Sequence, residues 1–176
     1  MAAILNTDRL HLRPLALRDA EALFAIMSDP EAMRFWDWPP FREVQTVREI
    51  VDGQVRTMES GAAQYWSVCL SGTGHAIGTC DLSDIDHHHK RAEVGFAFHR
   101  SFWGNGYGYE AMVAVIGEAF GAMGLERLGA RLHAANHASR RLLERLGFAY
   151  EGRLMSHVLR DGERRDCLLY GLLRTE

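Results

Sequence analysis

The sequence predicts a mixed α/β chain of the α+β type, and three observations predict it. The 176 residues with 47% apolar content suit one domain, spanning 1–176, with a substantial core. Segments rich in β-formers and segments of helical period follow one another irregularly, as in a sheet layered with helices. A glycine-rich turn, Trp103-Gly104-Asn105-Gly106-Tyr107-Gly108, carries a strand directly into a helix.

Each element has its own signal. Arg9 to Arg13 alternates polar and apolar and predicts a strand ended by Pro14. Asp19 is placed to cap a helix through Met27, broken at Asp29-Pro30. Phe35-Trp36-Asp37-Trp38-Pro39-Pro40 predicts an aromatic, proline-stiffened loop. Glu43 to Glu59 predicts a second helix, stopped by Ser60-Gly61. Tyr65 to Leu70 and His75 to Asp81 predict a hairpin across Ser71-Gly72-Thr73-Gly74. Asp84 to Lys90 predicts a polar turn before a strand from Glu93 to His99. Met112, Val113, Ile116, Ala119, Phe120 and Met123 recur at helical spacing, predicting a helix over 106–123. A strand over Leu128–Ala134, a short helix over Ser139–Leu146 with Gly147 as its stop, and strands over Ala149–Leu159 and Cys167–Leu173 complete the chain. No repeat, linker or low-complexity segment interrupts this order.

Composition narrows the function classes. The net charge of −3 leaves no basic footprint for nucleic acid, and the 20 Lys and Arg, nearly all arginine, are scattered. No apolar run reaches the ~18 residues of a membrane span. Asp8 and Arg9 follow the short apolar start too closely for a signal peptide. Cys69, Cys80 and Cys167 are odd in number and lack metal-ligand spacing, which suits reduced thiols in a cytoplasmic protein. His87-His88-His89 invites a metal, but consecutive residues do not converge on one ion; a solvated turn and no metal are expected.

The glycine turn carries the chemistry. The first turn of a helix presents N–H groups with no intrahelical partner at its positive end. Glycines let a phosphate approach the backbone, so a pyrophosphate suits this place. A P-loop is excluded, because no Lys-Ser or Lys-Thr pair exists here. A dinucleotide fingerprint is excluded by the Gly-x-Gly-x-Gly spacing.

The pattern resembles the acyl-coenzyme A loop of the GCN5-related N-acetyltransferases, with Trp103 where Gln or Arg is usual. Trp103-Gly104-Asn105-Gly106-Tyr107, followed by Glu110-Ala111, is similar to the branch containing the ribosomal-protein N-terminal acetyltransferases. Two further blocks resemble that branch: Thr7-Asp8-Arg9-Leu10-His11-Leu12-Arg13 at the front, and Asn136-His137-Ala138-Ser139 with Leu146-Gly147-Phe148 near the end. The resemblance implies a mixed, mainly antiparallel sheet, here of about seven strands, flanked by about four helices. It implies acetyl-CoA as cosubstrate, no metal, and an amine acceptor. That acceptor is a protein N-terminus, or else a small molecule such as an aminoglycoside, polyamine or amino acid. A non-catalytic acyl-CoA sensor is the alternative outside enzymes. Homodimers are common among relatives, though no segment here marks an interface.

Three chemical tasks select the candidate residues. The pyrophosphate falls to the backbone of Trp103, Gly104, Asn105, Gly106, Tyr107 and Gly108. The thioester carbonyl needs a preorganised donor. By resemblance this is a backbone N–H of Ala97, Phe98 or His99, beside a bulge that splays the strand from its neighbour. The amine must be neutral to attack. Holding a lysine (~10.4) neutral costs roughly 3.7 kcal/mol more than holding an α-amine (~7.7), so an N-terminal amine needs only a modest base. Glu93 is the candidate base, or else a surface glutamate beside Lys90 and Arg91. By resemblance Asn136 contacts cosubstrate or acceptor, and Ser139 is a candidate acid for the leaving thiolate; either also suits a helix cap. Trp36 and Trp38 are expected to be partly exposed and to face the acceptor.

Overall fold

A computed structural model describes residues 2–175. Eight strands form one sheet: β1 (Leu5–Asn6), β2 (Leu10–Pro14), β3 (Gln64–Leu70), β4 (Ala76–Asp86), β5 (Arg91–Phe98), β6 (Arg127–His133), β7 (Ala149–Arg160) and β8 (Glu163–Leu173). Their spatial order is β1-β2-β3-β4-β5-β6-β8-β7. Every neighbouring pair is antiparallel except β5 and β6, which run parallel. The helices are α1 (Ala20–Met27), α2 (Val44–Ser60), α3 (Tyr107–Phe120) and α4 (His137–Arg145). The mixed, mainly antiparallel sheet and the four helices are as expected; the eighth strand is the two-residue β1.

Side chains alternate across a strand, and paired residues share a face. One face therefore carries Trp66, Cys80 and Phe96 in a row, with Phe98 beside Gly78. Trp66, Cys80, Leu82, Met112, Val115 and Leu128 are sealed in the core, and Phe98 lies within 3.6 Å of a Cβ built on Gly108 of α3. Burying each of the larger of these contributes about 1.5–3 kcal/mol. The Trp66 indole keeps a partner by donating to the Ala3 carbonyl at 2.7 Å. The other face carries Tyr65, Asp81 and Gly95 in a row, then Glu93 beside Gly129.

Three local departures from the sequence expectation matter. Asp19 does not cap α1 with its side chain; the carboxylate accepts two bonds from Arg13 (2.8 and 2.6 Å) and one from the Ala16 N–H (3.0 Å). A half-buried guanidinium outcompetes the helix end for it. β4 does not end at Asp81 but runs on to Asp86 through a register slip, with Asp84 at φ 48°. Only His87–Lys90 is left for the turn.

The third departure concerns the opening in the sheet. Parallel pairing of β5 with β6 covers only Arg91–Arg127, Ala92–Leu128 and Glu93–Gly129. From Val94 and Ala130 onward the two strands have no ladder contact. The expected bulge in β5 is absent: its register with β4 runs unbroken from Ser83–Glu93 to Gly78–Phe98. The gap opens because β6 stays with β8 while β5 stays with β4.

Candidate active site

The glycine turn sits at the open end of this gap. Gly104 and Gly106 adopt φ 76° and 80°, a region that L side chains enter at a cost, and Gly106 is the N-cap of α3. Three bonds brace the turn: the Trp103 indole donates to the Phe98 carbonyl (2.8 Å), and the Asn105 amide donates to the carbonyls of Trp103 (3.0 Å) and Phe102 (3.3 Å).

A clamp from the first strands holds it from outside. Glu110, in the first turn of α3, accepts from the Thr7 hydroxyl (2.6 Å), the Arg9 N–H (3.0 Å) and the Arg9 guanidinium (2.7 Å). The same guanidinium donates to the Asn105 carbonyl (3.1 Å) and lies over the Tyr107 ring at 4.6 Å. Burial alone would raise the Glu110 carboxyl; the bonds from Thr7 and Arg9 outweigh it and hold the group below its ordinary range. The front block of the sequence and the glycine turn are thus one unit, a hundred residues apart in the chain.

Two clefts meet in the gap. The first, about 590 Å³, is lined by the turn (Trp103, Gly104, Gly106, Tyr107, Gly108), by Phe96, Ala97 and Phe98, and by Asn136, Ser139, Arg141 and Arg145 of α4 and its cap. The second, about 390 Å³, shares Phe35, Trp36, Phe96, Asn136 and Ser139 with the first and adds Trp38, Asp81, Gly95, Arg131 and His133.

Backbone donors in the gap follow from strand parity. The His99 N–H donates to the Ile77 carbonyl on β4 (2.9 Å), while the Phe98 carbonyl points the other way, toward the Trp103 indole. N–H directions alternate along a strand. The N–H groups of Phe96 and Phe98 therefore face the gap, and those of Ala97 and His99 face β4. Of the three expected donors, Phe98 is the one turned toward the cleft; the His99 ring accepts from the Ser101 N–H (3.3 Å) instead.

The carboxylates divide between the gap and the closed sheet. Glu93 lines neither cleft. Its carboxylate lies over Gly129, where an added Cβ would collide with Oε1, in the part of β5 still bonded to β6. Desolvation there, with the nearby Asp84 charge, pushes its pKa up. Asp81, which sequence reasoning passed over, lines the second cleft. Its carboxylate lies over Gly95, the first residue on that face beyond the last parallel pair, so it stands where the strands part. Burial raises its pKa to about 7, and a hydrogen bond with Ser83 only partly opposes this. The signal was weak: one aspartate at an apparent strand end.

Asn136 is the N-cap of α4, its carbonyl oxygen accepting from the Ser139 N–H (3.1 Å). That bond leaves its amide donors to face the clefts. Trp36 is half-buried and Trp38 67% exposed. Their loop is pinned by Arg160, which donates to the carbonyls of Met33 (3.1 Å) and Trp36 (2.6 Å), and by Arg131, which pairs with Asp37 (2.8 Å). Arg141 and Arg145 of the first cleft have no carboxylate partner among the described residues, and Arg145 stacks over Tyr109 at 4.0 Å. Sequence reasoning missed both, because nothing marked the exposed face of α4 as a cleft wall.

Comparison with known proteins gives these features relatives. A family model described as an acetyltransferase (GNAT) domain matches residues 9–149. The uncharacterized N-acetyltransferase p20 of Bacillus licheniformis is 33% identical over 172 residues, covering 98% of this chain and 97% of that protein. The spermidine N(1)-acetyltransferase of Escherichia coli is 23% identical, covering 93% of this chain and 85% of that protein. The solved structure of RimL, a ribosomal L7/L12 alpha-N-protein acetyltransferase in complex with coenzyme A, matches with a TM-score of 0.89 at 20% identity, covering 97% and 98% of the two chains.

Proposed function

The chain belongs to the GNAT acetyltransferase family, and from that premise we propose that it transfers the acetyl group of acetyl-CoA directly to a primary amine of near-neutral pKa, foremost a protein N-terminal α-amine. One observation carries the reading: the β5–β6 gap joins the cleft under the glycine turn to a second cleft that holds a carboxylate of pKa about 7.

The residues present fit the cosubstrate. The N–H groups that begin α3, from its N-cap Gly106 to Tyr109, would face a pyrophosphate, and a side chain at Gly104 in the turn before them would meet no protein atom within 4 Å. Arg141 and Arg145, without a carboxylate partner among the described residues, offer cations to a further phosphate. Phe98, seconded by Phe96, presents an N–H to the carbonyl whose oxygen gains charge, which needs no reorganisation as that charge develops. The thioester supplies the activated acetyl group. Asp81 takes the proton that the attacking nitrogen must shed; a base near 7 suits an α-amine, whose own pKa is ~7.7. Glu93, on the same face, adds negative charge that favours approach of the cationic amine. The Ser139 hydroxyl, on a residue that lines both clefts, would return a proton to the leaving sulfur. Trp36 and Trp38 wall the acceptor cleft.

A second reading, a small-molecule amine as acceptor, is favoured by the likeness to the spermidine enzyme over 93% of the chain. Thiol release from acetyl-CoA against a panel of N-terminal peptides, polyamines, aminoglycosides and amino acids separates the two. Turnover by α-amines ahead of polyamines is the expected result. Turnover restricted to polyamines would replace the first reading by the second, and donor binding without any turnover would defeat both.

A further inference from the structure

Beside the acceptor cleft lies a third cavity of about 570 Å³, formed by the loop after α1, the end of β6 and the β7–β8 turn. Four guanidiniums line it, those of Arg34, Arg160, Arg164 and Arg165, against only two carboxylates, Asp161 and Asp166. Both carboxylates are already engaged: Asp161 pairs with Arg160 at 3.1 Å and Asp166 with Arg153. Arg164 has no carboxylate partner among the described residues and reaches only the Ser156 carbonyl at 3.4 Å. Arg165 meets Glu163 at 3.8 Å and Arg34 meets Glu31 at 3.4 Å; both are loose pairs with exposed glutamates. The cavity therefore carries net positive charge that the protein does not neutralise.

A second observation sets this cavity against the acceptor cleft. His133 is 5% exposed and lines both this cavity and the acceptor cleft, and its Nε2 is buried with no hydrogen-bond partner. Phe35 also lines both spaces, its ring 6.2 Å from that of His133, so the two cavities adjoin across these two side chains.

We propose that this arginine cavity recognises an anionic group, a carboxylate or a phosphate, on the acceptor whose amine lies in the neighbouring cleft. Arginine forks suit either anion, because both offer two oxygens in a plane. The acceptor is then amphoteric: a cationic amine end drawn toward Asp81 and Glu93, and an anionic end held by Arg34, Arg164 and Arg165. The inference rests on the acetyl-transfer reading for the position of the amine, and not for the anion site itself.

The test uses the full chain saturated with coenzyme A, so that the glycine turn is not the site of anion binding. Calorimetry compares amines that differ only in the anion: O-phosphoethanolamine and β-alanine against ethanolamine, and a peptide with aspartate as third residue against the same peptide with asparagine. At least one anionic member is expected to bind tenfold or more tightly than its neutral partner. That ratio should collapse in the Arg34→Gln/Arg164→Gln double variant, with Tm and coenzyme A affinity confirming an intact fold. The pair that responds tells a small-molecule anion from an acidic peptide side chain. No pair reaching the ratio, or a ratio that survives in the double variant, overturns the proposal. Failure of coenzyme A to bind would count instead against the acetyl-transfer reading. Inorganic phosphate would then be the probe, with loss of its binding in the double variant still expected and unchanged binding overturning the anion site.

Discussion

The Asp81 carboxylate lies flat over Gly95, where an added Cβ would come within 2.5 Å of its Oδ1. Glycine at this position is what lets a side chain from β4 reach across β5 to the mouth of the gap. Gly95→Ala should therefore turn the carboxylate aside. We expect kcat to fall tenfold or more, with KM for acetyl-CoA within twofold and a stability loss under ~2 kcal/mol. An unchanged kcat would show that the position of Asp81 is immaterial.

Asp81→Asn tests the group itself, and its two effects have opposite signs. The folded pKa of about 7 lies above the ordinary carboxylate value. The stabilisation that goes with the protonated form is thus complete below about pH 4 and lost as pH rises through about 7. A neutral asparagine avoids that loss, so the variant should be the more stable protein at pH 8, by about 1–2 kcal/mol, and equal to the parent near pH 4. Its activity should drop by about 10²-fold or more and lose the rising limb near pH 7. A variant with the parent's pH–rate profile would remove Asp81 from the mechanism.

Glycines of the turn are expected to separate backbone strain from ligand contact. Gly104 has φ 76° and open space around it, so Gly104→Ala costs about 1–2 kcal/mol through the backbone alone. Gly104→Asn should recover part of that stability, since asparagine tolerates this region. Both should still raise KM for acetyl-CoA at least tenfold by occupying the phosphate space. Recovery of KM along with stability would mean the turn only needs its shape.

Arg9→Ala probes the clamp. Arg9 is half-exposed, and such a pair contributes under ~1 kcal/mol, so Tm should move little. Release of the Asn105 carbonyl and of Glu110 should nonetheless raise KM for acetyl-CoA several-fold at constant kcat. A large Tm loss with unchanged KM would make the clamp purely structural.

How much of this was legible in the chain depends on sequence distance. The glycine turn was readable because its three glycines, the strand before it and the helix after it are contiguous. The clamp's parts were each visible as motifs, but their contact spans a hundred residues. Asp81 was hidden because β4 is carried past it by the slip at Asp84, so a residue in mid-strand read as a strand end. The gap itself was hidden as well: its cause is which neighbour β5 and β6 each keep, and no local pattern records a parallel pair that stops after three residues. The arginines that flank the β7–β8 turn form no local pattern, and only the fold sets them beside His133.

The most direct test is to titrate coenzyme A into isotopically labelled protein and follow backbone amide shifts. If the cosubstrate runs from the glycine turn into the gap, the largest saturable shifts will fall on Gly104 to Tyr109 and on Phe96 and Phe98, with Ala97 and His99 moving less. Saturable binding that leaves the Phe96 and Phe98 amides unmoved would contradict the assignment of the β5–β6 gap as the place where acetyl group and amine meet.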